Sequence, residues 1–186
     1  MTVLLIASGI LFLSIQDQRE NKVLMDQAQH NITNAQLILI DLQNAETGQR
    51  GFLLTGRDKF LEPYRDSRSS LPQRIDALMK GDLTSDQYAR AQKLTMLARE
   101  RIEVLDELIE QRRNLLELSP DLLDRGKSIM DSCRSLIKSI RQQEENRVSK
   151  RSEELESAAL TTSVLIAIAS LLSVIITSVL FWKLRT

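Results

Sequence analysis

From Ala158 to Trp182 the chain carries no charged side chain over 25 positions, which are filled mainly by Leu, Ile, Val, Ala, Ser and Thr. A helix of that length reaches roughly 37 Å at the standard rise, enough to cross the hydrocarbon of a bilayer with some tilt. The hydroxyls of Thr161, Thr162, Ser163, Ser170, Ser173, Thr177 and Ser178 suit a helix that packs on another helix in lipid. Trp182 then falls at an interface, with Lys183 and Arg185 beyond it. The positive-inside rule puts those two charges in the cytoplasm.

A second apolar run, Val3 to Ile15, opens the sequence. Met1 to Gln16 covers only about 24 Å as a helix, short for a full span. It reads either as an anchor with a trimmed start or as the core of a signal peptide. No basic residue precedes it, and Ser14-Ile15-Gln16-Asp17 offers no small-residue cleavage site, so the anchor is favoured. The resulting plan is a first transmembrane segment at 1–15, an extracytoplasmic domain at 16–157, a second transmembrane helix at 158–182 and a cytoplasmic stub at 183–186. The expected home is a bacterial inner membrane, with 16–157 periplasmic or extracellular and both termini cytoplasmic.

The middle is expected to be all-α. The whole sequence has three prolines and six glycines, and the long stretches between them are rich in good helix formers. Acidic and basic residues number 25 each, which argues against nucleic acid as partner because phosphate binding needs a clustered basic face. One cysteine, Cys133, permits no intramolecular disulfide, and one histidine, His30, builds no multi-histidine site. No phosphate loop, nucleophile elbow or zinc motif occurs, so neither catalysis, a metal nor a cofactor is expected.

Breakers divide the middle into four helices. The first ends near Thr55 at Gly56, a natural C′ residue. Asp58 can cap the second, which carries Phe60, Leu61, Tyr64, Leu71, Ile75 and Leu78 and ends at Gly81. Pro72 lies inside it and predicts a kink near Arg68. Thr84 or Ser85 begins the third, with Leu94, Leu97, Ile102, Leu105, Leu108, Ile109, Leu115 and Leu116 as apolar positions. The fourth starts at Ser119-Pro120 or just past Gly126, with Ile129, Cys133, Leu136 and Ile140 inward. Short turns make neighbours antiparallel. The expected fold is an up-down-up-down four-helix bundle whose first and last helices continue into the transmembrane helices.

The most distinctive stretch runs Asn44-Ala45-Glu46-Thr47-Gly48-Gln49-Arg50-Gly51-Phe52-Leu53-Leu54-Thr55-Gly56, followed by Phe60-Leu61-Glu62-Pro63-Tyr64. It resembles the signature of the CHASE domains, sensory extracellular domains associated with cyclases and histidine kinases, and specifically their third class. Gly126-Lys127-Ser128-Ile129-Met130-Asp131 resembles a further piece of that pattern. The resemblance spans about Gln16 to Ser157. It implies an input domain, working as a homodimer, that answers a small-molecule or protein signal. Helix shifts would carry that signal to a histidine kinase, a diguanylate or adenylate cyclase, or a chemoreceptor output outside this chain. The runner-up is a freestanding two-span protein that regulates or scaffolds a separate membrane partner.

Read physically, the signature is odd for a helix. Ile32, Ala35, Leu39 and Leu42 step inward, and the same stripe reaches Glu46, Gln49 and Leu53. Gly48 and Gly51 stand where alanine would favour the helix by up to about 1 kcal/mol each. Arg50 is placed to pair with Glu46 four residues earlier. Glu46, Thr47, Gly48, Gln49, Arg50, Gly51 and Phe52 therefore mark either a buried polar layer that sets helix register or the lining of a small-molecule pocket. The layer is the preferred reading. His30 reads as a solvated surface residue, Asn31-Ile32-Thr33 as a chance glycosylation triplet, and Cys133 as a small buried hydrophobe. Glu144, Glu145, Glu153, Glu154 and Glu156 read as scattered over helix faces.

Overall fold

The computed structural model describes residues 2–81 and 83–185, with side chains described for all of these except 2–8, 10, 11, 13, 14, 180, 181, 184 and 185. Among the described residues the chain is all-helical and has no strand. Four α-helices follow one another: α1 (Thr2–Thr55), α2 (Glu62–Met79), α3 (Ser85–Arg113) and α4 (Pro120–Arg185), with a 3-10 turn at Asp58–Leu61 ahead of α2. Two compact units divide them, one of residues 27–145 and one of residues 1–26 with 146–186.

Each helix boundary has a local cause. α1 stops at Gly56, whose φ of 67° lies in the left-handed region and whose N–H closes on the carbonyl of Phe52 at 2.7 Å. α3 opens on a capping box: the Thr84 hydroxyl accepts from the Gln87 N–H, and the Gln87 side chain accepts from the Thr84 N–H at 2.7 Å. α4 begins at Pro120 and not past Gly126; the Ser119 hydroxyl accepts from the Leu122 N–H at 3.4 Å. Asp58 does not cap α2, because it lies within the 3-10 turn and pairs with Arg65 and Arg113. α2 ends at Met79, two residues before Gly81, and it runs through Pro72 unbroken. Pro72 still offers no N–H to the carbonyl of Arg68, one turn back.

In the unit of residues 27–145 the buried positions repeat as heptads. On α1 they are Ala28, Asn31, Ala35, Ile38, Leu42, Ala45, Gln49 and Phe52, stepping by three and four alternately. On α3 they are Gln87, Ala91, Leu94, Ala98, Arg101, Leu105 and Leu108. The α1 seam shares Ala35, Leu42 and Gln49 with the expected stripe, but Ile32, Leu39 and Leu53 flank it and are only half-buried. Size misled the reading: alanines sit at the centre because they let helix axes close, and the larger side chains wrap the edges. Leu115 and Leu116, expected in the core, are exposed because α3 ends at Arg113 and Leu115 takes a φ of 54° in the turn.

At Gly48 helix α1 comes up against backbone. A Cβ there would lie 2.9 Å from both the Phe60 carbonyl oxygen and the Tyr64 nitrogen, so α1 meets backbone where α2 begins. Gly51 faces the Phe60 ring, 3.1 Å from a built Cβ. Around this point Ala45, Phe52, Leu61, Tyr64, Leu105 and Ile109 form one apolar cluster, and a larger one joins α1, α2, α3 and α4.

In the other unit, Glu20 of α1 and Arg151 of α4 pair at 3.6 Å. Part of α4 is long and apolar enough to cross a membrane, and no residue of that stretch is buried. Most of the expected first span, 1–15, has side chains outside the described residues.

The glycine contacts make a prediction. Gly48→Ala forces a methyl group into backbone and should destabilise the fold by about 1–3 kcal/mol, against a helix-propensity gain of at most ~1. Gly51→Ala meets a ring that can turn and should cost less. Thermal unfolding followed by circular dichroism checks the order. A Gly48→Ala variant as stable as the parent would show that α1 and α2 are not in this contact.

Candidate functional site

The signature side chains separate into two sets on α1. Gly48, Gln49 and Phe52 are buried, whereas Thr47 and Arg50 face solvent and Gly51 lies between. Thr47 turns its hydroxyl back to the Gln43 carbonyl at 2.8 Å. Glu46 pairs with Arg101 of α3 at 3.2 Å, not with Arg50. Arg101 is almost wholly buried, and Gly126 of α4 leaves room for it: a Cβ at Gly126 would collide with its guanidinium. The Gln49 amide nitrogen and Arg101 Nε have no hydrogen-bond partner among the described residues. Phe52 is capped by Arg113, whose guanidinium carbon lies 5.9 Å from the ring centre.

A second polar layer was not legible in the sequence. Glu144 of α4, read as a surface carboxylate, is 1% exposed. Its Oε1 accepts from Asn31 of α1 at 2.9 Å and from Gln87 of α3 at 2.7 Å. Gln87 therefore closes the α3 capping box with its oxygen and binds Glu144 with its nitrogen. Gly81, in the turn after α2, leaves space for Asn31: a Cβ there would lie 2.7 Å from Asn31 Oδ1. Asn31 is 2% exposed, so the glycosylation triplet has no accessible acceptor. The missed signal was positional. Thr84-x-x-Gln87 has the spacing of a capping box, and Asn31 falls on the α1 seam once the alanines set its phase.

A third cluster opens to solvent. Tyr64 donates its hydroxyl proton to Asp106 of α3, while Arg68 Nη1 donates to the Tyr64 oxygen at 2.8 Å and to Asp106 at 2.6 Å. Burial, with the Asp106 carboxylate second, pushes the Tyr64 phenol up to about 12. Leu61, Ile109, Arg65 and Arg113 complete a cleft of about 350 Å³ here. A shallower groove of about 650 Å³ lies between α3 and α4, lined by Lys93, Lys127, Ser128, Ser132 and Ser135 among others.

His30 is exposed and Cys133 fully buried, as expected. Burial pushes the Cys133 thiol up to about 11. Trp182 is exposed; the side chain of Arg185 and the end of the stub, Thr186, lie outside the described residues. No group of acidic, histidine or cysteine side chains that could hold a metal occurs among the described residues.

Against known families, residues 21–154 match the CHASE3 domain. The chain belongs to the CHASE3 domain family. CHASE3 domains are sensory, not catalytic. Among solved structures, a chain of the "XylFII-LytSN complex" aligns at a TM-score of 0.56 and 18% identity, covering 63% of this chain and 97% of that one, which is a likeness of fold. The sensor domain of histidine kinase HK9 from Rhodopseudomonas palustris aligns at a TM-score of 0.41 and 22% identity, covering 70% and 97%. No curated protein matches the CHASE3 chain.

Two measurements follow. Asn31→Ala should cost about 1–3 kcal/mol by taking a donor from a buried carboxylate. In a double-mutant cycle with Glu144→Ala the losses should fall short of additive by at least about 0.5 kcal/mol, and strict additivity would dissolve the layer. Tyr64 binds its proton more tightly in the folded state, so its contribution is complete below pH 10. The unfolded chain loses the proton first, and stability falls as pH rises toward 12. Tyr64→Phe should remove this component of the alkaline slope in urea unfolding. An unchanged slope would mean that the phenol is not buried against Asp106 as described.

Proposed function

We propose that this chain is the input module of a bacterial transmembrane receptor. In this reading residues 16–157 form an extracytoplasmic, antiparallel up-down-up-down four-helix bundle. Residues 1–15 and 158–182 span the inner membrane, and residues 183–186 enter the cytoplasm. Two copies stand in parallel. A signal that prefers one packing of the helices over another shifts α1 and α4 and so biases an output domain beyond this chain.

One observation carries the reading. The CHASE3 match covers 21–154, and the helices that begin and end it, α1 and α4, each run unbroken into an apolar terminal stretch. A helix with continuous i→i−4 hydrogen bonds moves as a stiff element, so displacement at one end is felt at the other. Glu46, Gln49 and Arg101, with Asn31, Gln87 and Glu144, act here as polar layers that define which register is stable. Lipid contacts fall to the uncovered face of the second span, with Trp182, Lys183 and Arg185 anchoring its end.

The test uses the full chain in membranes, with Cys133 replaced by Ala and single cysteines placed from 160 to 179. Oxidative cross-linking between copies should rise and fall with a period of about 3.5 residues. A reporter that is active only outside the cytoplasm should work when inserted within 16–157 and fail after Thr186. Monomers at every position would remove the dimer, and an active reporter after Thr186 would remove the topology. An intact topology without dimers would move the freestanding regulator of a separate membrane partner ahead.

A further inference from the structure

At the start of α2 three arginines converge on one small cleft. Arg65, Arg68 and Arg113 line it together with Asp106 and Glu110, and the exposed Asp58 pairs with Arg65 and Arg113 from its edge. The floor is apolar, from Leu61 and Ile109, and Tyr64 closes one side. The guanidiniums are only partly engaged. Arg68 uses Nη1 alone, on Tyr64 and Asp106. Arg65 uses Nη2 alone, on Asp58. Arg113 gives Nη1 to Glu110 at 3.1 Å and Nη2 to Asp58 at 3.5 Å.

A guanidinium carries five N–H donors in a planar fork that matches a carboxylate with two parallel bonds. Arg65 and Arg68 stand three apart on one helix, and among the described residues each keeps at least Nε and one terminal nitrogen without a hydrogen-bond partner, although Arg68 also lies over the Tyr64 ring. A structural ion pair alone does not need three such forks over an apolar floor, since exposed pairs contribute about 0–1 kcal/mol. The present occupant of Arg65 and Arg113 is Asp58, whose side chain is 61% exposed and which an outside anion can displace.

We propose that this cleft binds a small organic carboxylate, held by the forks of Arg65 and Arg68 in competition with Asp58. Asp58 lies two residues beyond Gly56, where α1 ends. A ligand that takes the arginines from Asp58 frees the 3-10 turn that ties α1 to α2, and differential binding to the two states of that turn is what a sensor requires. The proposal rests on the sensory reading and names its ligand class. Its failure would leave the topology and cross-linking results untouched.

The experiment titrates the full chain in detergent micelles with succinate, butyrate and inorganic phosphate by calorimetry at constant ionic strength. At least one carboxylate should bind saturably, one per chain, and more tightly than phosphate. Arg68→Ala should weaken that binding about tenfold or more, and Arg68→Lys should restore it only partly because the fork is lost. Asp58→Asn should tighten it about threefold or more, which a purely structural role for Asp58 does not predict. Arg134→Ala, an exposed arginine paired with Asp131 elsewhere on α4, should leave it unchanged. Circular dichroism confirms that each variant is folded. Absence of saturable carboxylate binding, equal binding of phosphate, or affinities indifferent to Arg68 and Asp58 would overturn the assignment.

Discussion

At Gly48 a hydrogen atom stands where any other residue would set a carbon 2.9 Å from the backbone of Phe60 and Tyr64, and the turn after α1 folds back across that gap. The same device recurs at Gly126, which leaves room for the Arg101 guanidinium, and at Gly81, which leaves room for Asn31. Alanines at 28, 35, 45, 91 and 98 do the milder version along the seams of α1 and α3. Close approach lets dispersion contacts accumulate and expels water, so the layers between the helices become low-dielectric. Everything polar in those layers is then under strong constraint.

That constraint gives Glu46–Arg101 and Asn31–Gln87–Glu144 their meaning. A buried carboxylate without donors is costly, and one with two amide donors from two other helices is satisfied in a single register only. Moving α4 by one residue past α1 and α3 would take Glu144 away from both amides. Apolar seams tolerate small slips because one methyl group replaces another. A buried polar layer thus disfavours small slips of one helix past another more than an apolar seam does.

Much of the architecture was readable from local pattern. The caps at Thr84 and Ser119, the stop at Gly56 and the uncharged stretch from Ala158 to Trp182 all depend on residues within a turn or two of one another. The signature pointed to the CHASE domains of the third class, and the family match over 21–154 agrees. The signature's glycines stood out in the sequence as residues that disfavour a helix, and Gly48 proves to be a point of close approach. What failed was the rotational phase of the seams. Choosing Ile32, Leu39 and Leu53 over Asn31, Ile38 and Phe52 turned the α1 face part of the way around, and Glu144 was missed because its neighbours in sequence, Gln142, Gln143, Glu145 and Asn146, are all polar.

The sequence alone determined helix content, the stop at Gly56 and the uncharged stretch, since propensity, capping and hydropathy act between residues close along the chain. Tertiary structure decided which carboxylate meets which partner: Glu46 goes to Arg101 and not to Arg50, and Asn31 meets Glu144 across 113 residues. These choices follow from which faces the helices turn to one another. They are set by how small residues let backbones close, and no local pattern carries that information.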